Sequence, residues 1–428
     1  MPRDKHADDS RPPLLGVAEA KQRILDGLSK SKTEMVSYSA ALGRTLSMPV
    51  RAKASVPAFD LSAMDGYAVR GADITVLPAN LTRCGESAAG HPFNGKIGAG
   101  EAVRIFTGAK LPEGADVIIL QEDVDAASEE NGITITIKNS NPAGKHIRRK
   151  GLDMEPNAVI LDAGHLLSAR AISLCLSAGY TELEVYKQPR IGIISTGDEL
   201  VPPGTIPAEG QIISSNAQYL ADFVEMNGAI AVNLGIVGDV AGALARTLDK
   251  HDDLDLIVTS GGASVGVHDH IAGDLDSALD NADQESSGKQ THIDFWKIAM
   301  RPGKPVIFGK INDVPLLGLP GNPVSSAICA MVFLTPALAH MQGRVHEDMT
   351  FRAILGSDLR DNDKRQEYLR AVLSYDANGM AVVTPANLQD SSMLSVLANA
   401  DVLIVRPPFD PVRNKGDQVS IMPIPRLF

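Results

Sequence analysis

The chain has 428 residues, enough for about three structural units at roughly 150 residues each, and its 44% hydrophobic and 21% charged residues give it ample material for buried cores. A net charge of −12 excludes a broad nucleic-acid or anionic-membrane surface, which needs a basic face. Three scattered cysteines, Cys84, Cys175 and Cys329, with no CxxC motif, exclude a disulfide framework and point to a reducing compartment.

In chain order, residues 1–13 lack the apolar core of a signal peptide. The longest apolar stretch, 328–338, is shorter than the ~20 residues that span a bilayer, so the expectation is a cytoplasmic protein with no membrane partner. Val17, Ile24, Leu25 and Leu28 fall at helical spacing and predict an N-terminal helix, and residues 38–46 continue in similar style. From 56 to 155 the texture turns to short β-rich runs (102–106, 117–120, 133–137) among Gly, Pro and Asn, which reads as a compact β module. Residues 166–178 are helical again and end at Gly179, so the module is inserted between two helical segments.

From Pro189 strand and helix alternate: strand 190–196, helix 215–227 with a capping box of Ser215 and Gln218, strand 229–237, helix 240–251, strand 255–260. Such a βαβαβ run predicts a parallel sheet that binds ligands in the loops at the C-terminal ends of its strands. Residues 281–294 are a polar excursion, and after Gly343 alternating stretches predict a small all-β C-terminal domain.

Three glycine-containing loops follow strands in this region: Thr196-Gly197-Asp198-Glu199, Ser260-Gly261-Gly262-Ala263-Ser264 and Pro320-Gly321-Asn322-Pro323. Glycine lets backbone N–H groups approach an anion, and Thr196, Ser260 and Ser264 add hydroxyl donors. Asn322 suits an N-cap with Pro323 at the first helical position. Neither a Walker A sequence nor GxGxxG is present. Residues 262–266 fit GxSxG, so a serine esterase using Ser264 is the rival reading; it leaves the first and third loops idle. The carboxylates Asp198, Glu199, Asp239 and Asp269 at loop ends are oxygen-only donors suited to Mg²⁺, whereas His268 and His270 read as ordinary loop histidines rather than zinc ligands. Lys297, Arg301 and Lys304 cluster beside the only tryptophan, Trp296, where cations in an acidic chain suit a compact oxyanion such as phosphate or molybdate.

Seven segments carry a resemblance: PAFDLSAMDGYAV (57–69), TGAKLPEGADVII (107–119), RRKGLD (148–153), STGDEL (195–200), SGGASVGVHD (260–269), MRPGKP (300–305) and LPGNPVS (319–325). Together they resemble the MoeA-type molybdopterin molybdenumtransferases, the family that includes the E domain of gephyrin. The resemblance implies an elongated subunit of α/β and β parts: a discontinuous helical linker domain (1–55 and 156–186), an inserted β module (56–155), a molybdopterin-binding α/β domain (187–343) and a C-terminal β domain (344–428). It further implies a homodimer with a site shared between subunits. The implied reaction inserts molybdenum from molybdate, as substrate, into adenylated molybdopterin with release of AMP and assistance from Mg²⁺. A molybdopterin adenylyltransferase would act upstream.

On this reading Glu199, Asp239 and Asp269 gather around Mg²⁺ and the pyrophosphate, and Asp65 and Asp153 join the catalytic set. Molybdate falls to Arg301, Lys304, Pro305, Ser325, Arg370 and Ser391. The adenylated substrate falls to Thr107, Thr196, Gly197, Asp198, Ser260, Gly261, Gly262, Ser264, Lys297, Pro320, Gly321 and Asn322. A non-catalytic molybdopterin-binding scaffold is the further alternative. The chain departs from the family's usual pattern in Arg301 for Lys, Leu152 for a carboxylate and Asp390 for Gly.

Overall fold

The computed structural model of the chain describes residues 14–129, 132–238, 243–262 and 291–425. The chain divides into two compact units, one of Met1–Glu34, Gly43–Ser47 and Val185–Phe428, the other of Met35–Leu42 and Met48–Glu184.

In the first unit, helix α1 (Val17–Asp26) is followed by β1 (Arg190–Thr196), the short β2 (Leu200–Val201) and β3 (Ile212–Ile213), and helix α2 (Asn216–Met226). Next come β4 (Ile230–Val237), α3 (Ala243–Leu248), β5 (Leu256–Ser260), β6 (Thr291–Trp296) and β7 (Met300–Arg301). Then β8 (Ile307–Ile311) and β9 (Val314–Leu319) lead into helix α4 (Pro323–Cys329). Six strands form one sheet in the order β4-β1-β5-β9-β8-β6.

The first four strands are parallel, as expected. The other two are not: Asn312 and Asp313, both at positive φ, make the tight turn between β8 and β9, so β8 returns antiparallel and β6 pairs antiparallel to it. Alternation of side chains sorts the sheet's residues into two cores. Ile191, Ile193, Leu256, Val258, Leu317 and Leu319 face one, and Ile194, Ile257 and Leu316 face the other.

The first core also takes Val17, Ala20 and Ile24, so the N-terminal helix packs against the α/β sheet, within the unit that holds Val185–Phe428. Residues 38–40 form only a 3₁₀ turn after a strand, Thr33–Ser37. The helical run Pro323–Met341 has the length and hydropathy of a membrane span, but it is 89% buried and its all-round apolar surface is that of a core helix.

Strands at 351–355, 366–375, 381–385, 402–406 and 418–423 close on themselves as a small barrel, with Ala371, Val383, Ile404 and Ile421 in its core. The outlying strand β7 pairs parallel with the start of 366–375, Arg301 opposite Glu367. In the second unit, a six-stranded sheet runs in the order 117–120, 66–69, 101–105, 79–87, 132–137 and 124–129. The helix Ala169–Ser177 is capped by the Ser168 hydroxyl, which accepts from the Ala171 N–H at 3.3 Å.

Candidate active site

Register brings the C-terminal ends of four parallel strands to one edge: Thr196 stands beside Val237, Ser195 beside Ser260, and Ser260 beside Leu319. The chain leaves β1 toward β4 and then crosses to β5 on the other side, so the loops after β1 and β5 flank a point where strand order reverses. A cavity of about 670 Å³ opens there, lined by all three glycine loops.

Each loop's shape follows from its glycines. At Gly261 (φ +98°) an added Cβ would lie 2.5 Å from the Thr196 carbonyl oxygen and 2.8 Å from Thr196 Oγ1, so only glycine permits this approach. Gly261 N–H donates to the Leu319 carbonyl at 3.1 Å, joining the second loop to the end of β9. At Gly197 the missing Cβ leaves room for the Glu199 carboxylate, which folds back over the loop and lines the cavity. Among the described residues the buried Thr196 hydroxyl has no partner, which leaves it a hydrogen-bonding group in the cavity wall.

Thr196, Gly197, Glu199, Ser260, Gly261 and Gly262 all line the cavity, as do Pro320, Gly321, Asn322 and Pro305. Asp198 does not; its carboxylate lies against Gly238, at the end of β4. Asp239, Asp269 and Ser264 lie outside the described residues. Among the described residues no cluster of three metal-ligating side chains is assembled.

The sequence reading missed Asn216, Ser214 and Ser215 from the start of α2, Ile212 and Ile213 from β3, and Ser392. The capping box is not formed: Ser215 is in the helical region with no side-chain bond, and Gln218 donates to Asp222 instead. Asn322 likewise makes no side-chain cap. Its amide donates to Ser391 Oγ at 2.9 Å, while the Val324 N–H at the helix start is satisfied by the Ser391 carbonyl at 3.1 Å.

Beside the cavity runs the cationic turn. Arg301 is not a free cation: it contacts Glu367 at 2.5 Å and Asp363 at 3.6 Å and donates to Asn362 at 3.3 Å. Glu367 also pairs with Arg406, which continues to Asp410 and Arg413, and Asp363 pairs with Arg365, so Arg301 lies within a chain of alternating charges. Lys297, at positive φ, places its ammonium 3.7 Å from the centre of the Trp296 ring. Lys304 is exposed and makes no ion pair among the described residues. Gly303 packs on the thiol of the buried Cys329, and Ser325 is buried in the first turn of α4.

Arg370 is fully buried in the barrel. Its backbone and Nε donate to Gln389 and one terminal nitrogen donates to the Asp390 carbonyl at 2.7 Å; burial pushes its pKa down. Asp390 Oδ1 accepts from the hydroxyl and N–H of Ser392, which together hold its carboxyl below the usual range. This turn presents Ser392 to the cavity and Ser391 to Asn322.

In the second unit, Thr107 donates its N–H (2.7 Å) and hydroxyl (2.8 Å) to Asp65 and holds that carboxyl below the usual range. Asp60 is tied to Arg149 at 2.6 Å and to the Lys150 N–H. Asp153 is exposed; its N–H donates to the Val56 carbonyl.

Comparison with known proteins agrees along the whole chain. The family regions described as MoeA N-terminal region (domain I and II), probable molybdopterin binding domain, and MoeA C-terminal region (domain IV) match residues 15–179, 192–340 and 352–424. The chain is 32% identical to the molybdopterin molybdenumtransferase of Haemophilus influenzae, over 97% of this chain and 100% of that one. This chain belongs to the MoeA family.

A second relative named molybdopterin molybdenumtransferase, from a Nostoc species, is also 32% identical, over 93% of this MoeA chain and 90% of its own length. Two structures of the molybdopterin biosynthesis MoeA protein from Pyrococcus horikoshii superpose with TM-scores of 0.79 and 0.76, at 28% and 25% identity over 96% of this chain and 99% and 100% of theirs. The multidomain α/β-plus-β fold expected from the sequence is therefore that of MoeA.

Proposed function

We propose that this MoeA protein is a transferase that inserts molybdenum from molybdate into adenylated molybdopterin, releasing AMP. The observation that carries the reading is the cavity where three glycine loops meet, with Thr196 and Ser260 hydroxyls in its wall and the turn 301–305 at its rim. Glycine-shaped backbone and hydroxyl donors suit the phosphate oxygens of the substrate's pyrophosphate. Molybdate, a dianion, suits the adjacent turn. There Lys304 contributes charge, Pro305 shapes the wall, Ser325 and Ser391 contribute hydroxyls, and Arg301 and Arg370 fix the turn and the loop that faces it.

Glu199 lines this cavity, and with Asp239 and Asp269 it offers the oxygen-only donors that Mg²⁺ takes alongside phosphate oxygens. Bound there, Mg²⁺ would neutralise charge on the pyrophosphate. In the reaction water cleaves the phosphoanhydride so that AMP leaves with its phosphate, and the two dithiolene sulfurs displace two oxygens of molybdate, which depart as hydroxide carrying the thiol protons. Asp198 supports the first loop from behind, Lys297 lies on the Trp296 side of the cationic turn, and Ser264 belongs by sequence to the second glycine motif.

We assign Asp65, Asp153 and Thr107 to the same reaction through a homodimer, on the strength of the family motifs at 57–69, 107–119 and 148–153. The four-part division with breaks near 56, 156, 187 and 344 follows the same motifs. A molybdopterin adenylyltransferase would supply the substrate. The acidic chain with three free cysteines suits the cytoplasm. The test is AMP release from adenylated molybdopterin with Mg²⁺, with and without molybdate: the reading expects release that depends on molybdate. Release indifferent to molybdate, or hydrolysis of simple esters in its place, overturns it.

A further inference from the structure

Asn216 is the first residue of α2 and belongs to none of the motifs that drew attention to the site. Its side-chain nitrogen has two hydrogens, and each reaches a different loop: one goes to Ser260 Oγ at 2.8 Å, the other to the Gly321 carbonyl at 2.7 Å. The start of α2 is itself anchored, because Ser214, the second residue before Asn216, donates its buried hydroxyl to Ser195 Oγ at 2.9 Å. One amide on a fixed helix end therefore spans the second and third loops. Those loops touch, since a Cβ on Gly321 would stand 3.5 Å from the Gly261 Cα.

The bond to Ser260 also has a direction. A hydroxyl has one hydrogen to give, and when it accepts from an amide N–H that hydrogen stays available for another acceptor. Ser260 lines the cavity, so the acceptor at hand is an oxygen of the bound anion. We infer that Asn216 is a positioning residue that locks the second and third loops together and sets the Ser260 hydroxyl as a donor into the cavity. The inference rests on the proposed function for the identity of the anion, but not for the locking itself.

Two substitutions separate shape from polarity. Asn216→Asp keeps the shape and removes both donors; its carboxylate would take the Ser260 hydrogen for itself and face the Gly321 carbonyl and the anion with like charge. Asn216→Ala simply deletes the link. The expected result is AMP binding weakened roughly tenfold in Asn216→Ala, the worth of one or two hydrogen bonds at about 1.4 kcal/mol per tenfold. In Asn216→Asp the loss is larger still, and KM for adenylated molybdopterin rises more than kcat falls. Ser260→Ala should weaken AMP binding, and Asn216→Ala added to it should cost less than it does alone. Adding Asn216→Asp to Ser260→Ala should likewise cost less than Asn216→Asp does alone.

Hydrogen exchange reads the locking whether or not the enzymatic reading holds. Amides at 260–262 and 321–322 should exchange faster together in Asn216→Ala while the barrel and β1 stay protected. Equal exchange in the wild type and Asn216→Ala at either loop overturns the inference, as does AMP binding by Asn216→Asp equal to the wild type. Absence of molybdate-dependent AMP release from the wild type, with the exchange result as expected, sinks the proposed function alone.

Discussion

Replacing Gly261 with alanine tests whether the close approach of the second loop to Thr196 holds the cavity together. The new Cβ would lie 2.5 Å from the Thr196 carbonyl oxygen, an atom of the backbone that cannot rotate away. A non-glycine residue at this positive φ costs about 1–2 kcal/mol, and forcing an extra carbon into a packed place costs about 1–3 kcal/mol more. The expected loss is therefore about 2–5 kcal/mol. At roughly 2–4 °C per kcal/mol for a domain of this size, Tm should fall by at least about 4 °C. Scanning calorimetry of the full chain reads the loss, and molybdate-dependent AMP release on the folded protein reads the site. Gly321→Ala is the control from the same cavity: its Cβ would meet Gly261 only at ordinary contact distance, and Tm should move by less than about 2 °C, which corresponds to under ~1 kcal/mol. If Gly261→Ala melts within 1 °C of the wild type, on the order of the measurement error, and turns over normally, the contact is not what shapes the loop.

Three further outcomes are expected. Glu367→Ala should cost about 2 kcal/mol in urea denaturation, because it removes the carboxylate shared by the buried Arg406 and Arg301 and leaves them with Asp410 and Asp363 alone; a change under about 1 kcal/mol would show that the charge chain contributes little. The Asp348 carboxyl is held at about 2, first by the hydrogen bond from His346 and also by Lys21. A depressed carboxylate pKa stabilises the fold above the unfolded value near 3.9, and that stability is lost as pH falls toward 2. Asp348→Asn should therefore be less stable at neutral pH and show a flatter decline between about pH 4 and 2, and an unchanged acid profile would refute the assignment. Finally, mixing Asp65→Ala protein with Asp269→Ala protein should restore part of the AMP release through heterodimers, whereas no recovery after verified subunit exchange counts against a site shared between subunits.

The parts of the site legible in the sequence were those whose physics is local. A glycine after an apolar strand announces a loop that a side chain would block, and ten of the residues so chosen line the cavity. What escaped was set by partners far along the chain. Arg301 reads as a bare cation in MRPGKP, yet its compensating charge stands on Glu367, brought alongside by strand pairing. Asn216 is one polar residue at a helix start, and its meaning appears only when two distant loops converge on it. The helical spacing of Val17, Ile24 and Leu28 fixes an apolar face but not which surface it covers. The pair Asn312-Asp313, turn-forming residues between apolar runs, is a hairpin signal that the sequence reading passed over, and it accounts for the antiparallel edge of the sheet.

The short strand Met300–Arg301 has an implication for how such a protein can change over time. It covers Gln366 and Glu367, the start of the stretch 366–370 of the barrel strand that the 381–385 strand does not reach. A barrel severed from the sheet domain would carry an open length of edge there, with unpaired peptide groups and a carboxylate deprived of Arg301. Exchange of the C-terminal segment between lineages would therefore succeed only when residues 300–301 and 366–367 travel together or already match. The rim of the cavity and the barrel are thus inherited as a pair, and innovation in one is filtered by the other.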